Sequence, residues 1–378
     1  MMLRRILGLA GAVLASLSLN LACVDVGEGG ATSNTALYAF DGGSGTVNCW
    51  GDVATLYANI TTGGDTGPSR TITSTTITDN IKSPAIGGVC FDISAKRLFL
   101  VDSTGAVVRI ERADKQNGSL SSLTDIATFM LDSSERLQGS SFGQAAVDPQ
   151  SGTLFVTENG TSQTRIWVVS NPSGYGGLGQ PSTVTLQSLA TTGVNAGGPD
   201  TGGTGVAVGQ GKVYAYFAGG ASVPSPSGGS PYTGARLRSG TASAFGSAVI
   251  VGASTTLQDT ATGGCLAMDT GDNAVYVLRM NTHAASGGPV CVFTVGAFTS
   301  SYDQAPSRFL GSLTGQPDLR IITHGGNKDW LGGAAYSSAT KVFSNQIWLW
   351  KNPSQGGEPH ALTLGSATIS GLAFDGSN

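Results

Sequence analysis

Only three histidines occur in the 378 residues, His283, His324 and His360, so acid–base or metal chemistry built on imidazole has few places to sit. His283 lies in the polar loop NTHAASGG and His360 in PHALTL, just ahead of a strand; both read as surface residues. His324 differs. It stands in ITHGGNKDWLGG beside Asn327, Lys328, Asp329 and Trp330, a dense polar group for a chain with 12% charged residues. Arg136 in SSERLQGSSFG and Asp200 in GGPDTGGTG occupy similar places ahead of short apolar runs, so these side chains could gather around one small polar mouth. The plain alternative is a solvated loop with Trp330 packed between elements.

The acidic residues tell a different story. Asp92, Asp148, Asp269 and Asp375 each close a short apolar run and open a polar turn. Four equivalent carboxylates imply a repeated structural task, capping turn amides through Asx bonds, rather than one ligand cluster. No GxSxG elbow supports a serine nucleophile. There is no CxxC and no His/Cys cluster, so no metal ligand set can be assigned.

Four cysteines, Cys49, Cys90, Cys265 and Cys291, are spread along the body of the chain. In an oxidising compartment they could form two disulfides, with three connectivities that spacing cannot separate. The fifth, Cys23, ends an N-terminal segment of a different kind. MMLRR supplies a positive start and ILGLAGAVLASLSLNLA an apolar stretch that runs directly into it. This resembles a bacterial lipoprotein signal, which implies that residues 1–22 are removed, Cys23 is lipidated and 23–34 form a flexible linker. Ordinary cleavage with Cys23 incidental is the other reading. No later stretch approaches the roughly 18 apolar residues of a bilayer span. Formal net charge is −4, and no basic run follows Arg4-Arg5, which excludes nucleic acid as a partner.

The elements that must position these residues come from a repeat. GVCFD (88–92), QAAVD (144–148), GVAVG (205–209), CLAMD (265–269), GAAYS (333–337) and GLAFD (371–375) share one register. Its central position holds Cys90, Ala146, Ala207, Ala267, Ala335 and Ala373, and the next is always larger. Small alternating with large suits a strand packed on both faces. A second run follows after a tight polar turn (LFLVD, LFVTE, VYAYF, VYVLR, KVFS), then a third such as RIWVVSNP or QIWLWKNP, then a weaker fourth. The third runs carry Trp50, Trp167, Trp348 and Trp350, which read as fillers between repeats rather than a carbohydrate platform.

Repeats of this size, each one small sheet, predict an all-β fold: a six-bladed β-propeller of four-stranded antiparallel blades over residues 35–378. A seventh blade has room only in the fourth repeat or in 297–330. GQAAVDPQSGTLFVTENG resembles the strand–turn–strand signature of the NHL, YVTN and lactonase-type propellers. That resemblance implies fold and leaves function open, since such propellers include lactonases, sugar dehydrogenases and binding scaffolds. The leading expectation is a monomeric, lipid-anchored envelope protein that binds another envelope protein or an extracellular polymer, with no resident cofactor. The alternative is a lactonase-like or sugar dehydrogenase-like enzyme at the channel mouth, where the resemblance admits calcium.

The two ends complete the repeat. ISGLAFDGSN is a first strand without a second, and TALYAFDGG near the N-terminus is a second without a first. Joined, they make one blade and close the ring, which removes exposed sheet edges.

Overall fold

Short runs of Val, Leu, Phe and Tyr broken by Asp- and Gly-rich turns can satisfy their backbone groups only by pairing with their neighbours. The computed structural model describes residues 35–131, 134, 136–176, 183–184, 187–189, 201–219, 234–242, 245–251, 265–278, 289–299, 305–311, 318–325, 329–337, 342–356 and 359–376. Within them the strands form six antiparallel sheets of four, each taken from one continuous stretch of the chain except the first. In the first, Ile369–Phe374 pairs with Leu37–Asp41, followed by Thr46–Trp50 and Arg70–Thr73. Leu37 faces Phe374 and Tyr38 faces Ala373, and the amide of Asp375 donates to Ala36 O at 3.1 Å. The two ends of the chain therefore share one blade, as expected.

Inner strands of blades 2 to 6 are Pro84–Asp92, Ser141–Val147, Thr201–Gly209, Leu266–Asp269 and Asp318–Gly325. Each touches the next, and the last touches Ile369–Phe374, so the six make a closed six-bladed propeller around a central channel. Two outer edges gain a further short strand. Gly118–Ser119 adds in parallel to blade 1 and Thr183–Val184 to blade 2.

The sixth blade corrects the sequence reading. GAAYS lies in the second strand, Trp330–Ser337, and KVFS in the third, Val342–Lys351; the inner strand is DLRIITHG. Register residues 267, 323 and 373 are then 56 and 50 residues apart, so the apparent short final repeat disappears. Thr323 and His324 take the places of Ala267 and Met268. A polar pair at that register hides this strand from the small–large pattern of the other five.

A cross-strand rule explains the register. The small residue of each inner strand faces a large ring on the second strand: Ala373–Tyr38, Cys90–Phe99, Ala146–Phe155, Ala207–Tyr214 and Ala267–Tyr276. Directly opposed Cβ atoms lie ~4.5–5.5 Å apart, so only one of the pair can be bulky where the next blade must approach. The following residue lies against the preceding blade: Phe91 stacks on Tyr38 with centroids 5.1 Å apart. In blade 6 the ring is replaced by Gly332, opposite Thr323, because Phe374 fills the space; a Cβ on Gly332 would lie 3.2 Å from that ring. Each buried aromatic contributes ~1.5–3 kcal/mol of apolar burial.

Two helices absent from the expectations fill the long connections around blade 1. Helix α1, Val53–Thr62, is capped by Asp52, whose carboxylate accepts the Ala54 and Thr55 amides, and ends at Gly63. Helix α2, Thr75–Asn80, starts at Ser74, which accepts the Thr76 amide. Tyr57 of α1 meets Trp330 and His360 of blade 6, which reinforces the closure between first and last blades. No helix among the described residues is long and apolar enough to cross a membrane.

The four body cysteines are free and buried, so the expected pairing is not formed. Cys90 and Cys265 belong to inner-strand runs of blades 2 and 5, whereas Cys49 and Cys291 lie in third strands of blades 1 and 5, each walled in by its own blade. Burial pushes the Cys49 and Cys265 thiols up to about 12 and raises Cys90 further. Of the third-strand tryptophans, Trp50, Trp167 and Trp350 are buried and Trp348 is half-buried.

Candidate functional site

Every inner strand pairs on one side only, so its other edge, with its backbone amides and carbonyls, turns to the channel. All six blades line one cavity of about 390 Å³ there. Its two ends differ. At the end where the connections from preceding blades arrive, the lining residues Gly87, Gln144, Val206, Leu266, Ile321 and Leu372 are all buried. At the end where the inner hairpins turn, Ile93, Val147, Pro149 and Met268 are half-exposed and Thr270 is exposed. The channel is closed at the first end and open at the second.

Gln144 makes the closure. Its Oε1 accepts the Val206 amide at 3.0 Å and the Leu266 amide at 2.8 Å, while Nε2 donates to Leu266 O at 2.6 Å. One side chain from blade 3 thus ties blades 4 and 5. Beside it the Cys265 thiol donates to Arg320 O of blade 6 at 3.1 Å. Gly87 of blade 2 completes the floor at φ +70°, where a Cβ would stand 3.0 Å from Cys265 Sγ and 3.1 Å from Gln144 Cγ; both conformation and space call for glycine. Five blades meet in this floor. Its sequence signal was the lone polar residue heading QAAVD, at the position held by glycine in GVCFD, GVAVG and GLAFD.

His324 lies on the channel wall, not in a loop. Its side chain is buried between blades 5 and 6, stacked on Tyr276 with centroids 5.3 Å apart and planes at 15°. Nε2 stands 3.4 Å from Asp269 Oδ2, and the Tyr276 hydroxyl is 3.5 Å from the same oxygen. The His324 contact is electrostatic rather than a well-directed hydrogen bond. Burial works against ionisation of Asp269, but the imidazole and the Asp272 and Gly271 amides outweigh it and hold the carboxyl below its usual range. Burial raises the Tyr276 phenol, with the Asp269 charge adding to it.

The other residues expected at a common mouth do not gather. Asp329 is exposed at the hairpin turn after His324, where its carbonyl accepts the Asn352 amide; Trp330 is buried against Tyr57. Arg136 belongs to the opposite face, in the connection from blade 2 to blade 3. Its guanidinium donates to Thr104 O at 2.8 Å and lies 5.1 Å from the Phe142 ring. Inner strands run from the connection face to the hairpin face, so residues before one and after another cannot share a mouth. Asn327, Lys328, Asp200 and Cys23 lie outside the described residues. Among the described residues no three His, Cys, Asp or Glu side chains are grouped to hold a metal.

All but the last of the repeating acids are turn caps. Asp92 accepts the Ser94 and Ala95 amides, Asp148 the Gln150 amide and Asp269 the Asp272 amide; Asp375 instead accepts the Ala36 amide across the ring closure.

No protein-family profile matches this chain, and no curated protein matches it. Solved structures similar to it include Kuenenia stuttgartiensis hydrazine synthase, with TM-score 0.39 and 10% identity over 76% of this chain and 69% of that one. Dihydro-heme d1 dehydrogenase NirN in complex with DHE gives 0.39 and 10% over 88% of this chain, which spans 64% of that protein. The Myceliophteria thermophila Cps50 (Swd1) β-propeller domain gives 0.42 and 10% over 89% of each chain. At such similarity none of them carries an argument about this chain.

Proposed function

We propose that this protein is a binding propeller, tethered to the bacterial cell envelope through lipidated Cys23, whose partner is an envelope protein or an extracellular polymer. The observation that carries the reading is the commitment of its buried acids. Asp41 accepts the Gly43 and Thr368 amides, Asp102 those of Ser83 and Thr104, and Glu158 the Leu137 amide and the Trp167 indole N–H. With the turn-capping aspartates, these carboxylates hold strands and blades in register. A rigid ring with its charge used internally suits recognition on its surface loops.

A second reading, an enzyme acting on a lactone or sugar, is favoured by one observation, the Asp269–His324 contact on the channel wall. Metal content and turnover separate the two. The purified protein, isolated without chelators, is expected to carry no stoichiometric calcium and to leave a panel of lactones and aldoses unchanged. One calcium per chain together with turnover overturns the binding reading. The tether is tested separately: Cys23→Ser is expected to move the protein from the membrane fraction to the soluble one, and unchanged membrane association refutes it.

A further inference from the structure

We propose that the central channel is a blind cup that takes a small amphipathic molecule with a hydrogen-bonding head group, admitted from the hairpin face. The inference goes beyond the binding reading above and does not depend on a macromolecular partner.

Three features lead to it. The first is the closed floor. Gln144 and Cys265 bond across blades 3 to 6, and Gly87 fits against both, so nothing threads through. The second is size: about 390 Å³ falls at the small end of the ~300–1,000 Å³ typical of small-molecule sites, and the single opening suits a compact ligand rather than a chain segment. The third is the wall. At the register just inside the mouth the six blades contribute Phe91, Val147, Val208, Met268, His324 and Phe374, five apolar residues and one imidazole.

Such a surface favours an apolar body through burial, and Met268 adapts to its shape. Apart from Gln144, whose amide is spent in the floor, the polar side chains lie on one side. His324, Asp269, Thr270 and Thr323 all line the cavity on the blade 5 and blade 6 side, where a head group would be met. The free edges of the inner strands offer further amides and carbonyls, which need partners in any dry site. An amphipathic ligand, with its apolar body against these side chains and its polar end toward blades 5 and 6, therefore suits this cup.

The test is fluorescence titration of the full-length Cys23→Ser protein with 1-anilinonaphthalene-8-sulfonate. One saturable site is expected. Val147→Trp narrows the mouth from blade 3, and Thr270→Trp does so from an exposed position that tolerates bulk. Each is expected to weaken probe binding at least tenfold, whereas Ala54→Trp on the exposed face of α1 leaves it unchanged. Circular dichroism and the unfolding midpoint identify any variant that fails to fold, and Thr270→Trp then carries the test. Absence of saturable binding, or equal binding by parent and folded Thr270→Trp, overturns the proposal. Because the probe reads the cup alone, that failure leaves the surface-binding reading standing, and a metal-dependent turnover would sink that reading without touching the cup.

Discussion

Replacing Gln144 by leucine tests how the blades are joined. The substitution keeps an apolar stem, one atom shorter, and removes one acceptor and one donor. Three backbone groups lose their partners: the Val206 amide, the Leu266 amide and the Leu266 carbonyl. Val206 and Leu266 are buried, and the leucine side chain offers none of these groups a polar partner. Each orphaned group costs ~1–3 kcal/mol, and leucine regains part of this through its own burial, ~1.5–3 kcal/mol. The net loss is roughly 1.5–6 kcal/mol, a sizeable share of the ~5–15 kcal/mol that holds a domain together. Urea unfolding followed by tryptophan fluorescence reads it directly, as a lower midpoint at unchanged slope. A loss below ~0.5 kcal/mol would be that of an ordinary surface change and would refute the three-blade tie.

Two further outcomes follow from the buried groups. The folded Asp269 carboxyl titrates below its ordinary value of 3.8, so its stabilising contribution is complete above that pH and fades as pH falls through the lower folded value. The stability gap between parent and Asp269→Asn, measured by urea unfolding, should therefore be widest at pH 6 and shrink towards pH 2; a constant gap contradicts this. Free, buried thiols with raised titration points should not react with Ellman's reagent in the native Cys23→Ser protein and should give four equivalents once unfolded. No thiol released on unfolding would restore the two-disulfide expectation.

Most of the ring was legible because its packing rule is written in residue size. Ala146, Ala207, Ala267 and Ala373 stand small where a ring crosses from the second strand, and tight Asp–Gly turns separate the runs. The sixth copy escaped because its members are Thr323 and His324, while the second strand of that blade, GGAAY, imitates the pattern. A strand buried on both faces looks like an inner strand whichever place it holds. The site was less legible for a geometric reason. Proximity in sequence put His324, Asp329 and Trp330 into one group, but the hairpin sends His324 into the wall and Trp330 into the contact with α1. Gln144 acts over 122 residues to Leu266, a distance no local motif encodes.

The central claim is that Ile369–Phe374 closes the ring as the inner strand of the first blade. All six of its residues are buried, and burial of Ile369, Leu372 and Phe374 alone is worth roughly 5–9 kcal/mol. Removing residues 369–378 also exposes the pairing edge of Leu37–Asp41 and uncovers Gly325 and Gly332 where Phe374 lies. Urea unfolding of the truncated protein is the most direct measurement. The account predicts loss of the cooperative transition, or a midpoint lowered by most of the parent's stability. A truncated protein that unfolds cooperatively at the parent's midpoint would contradict it.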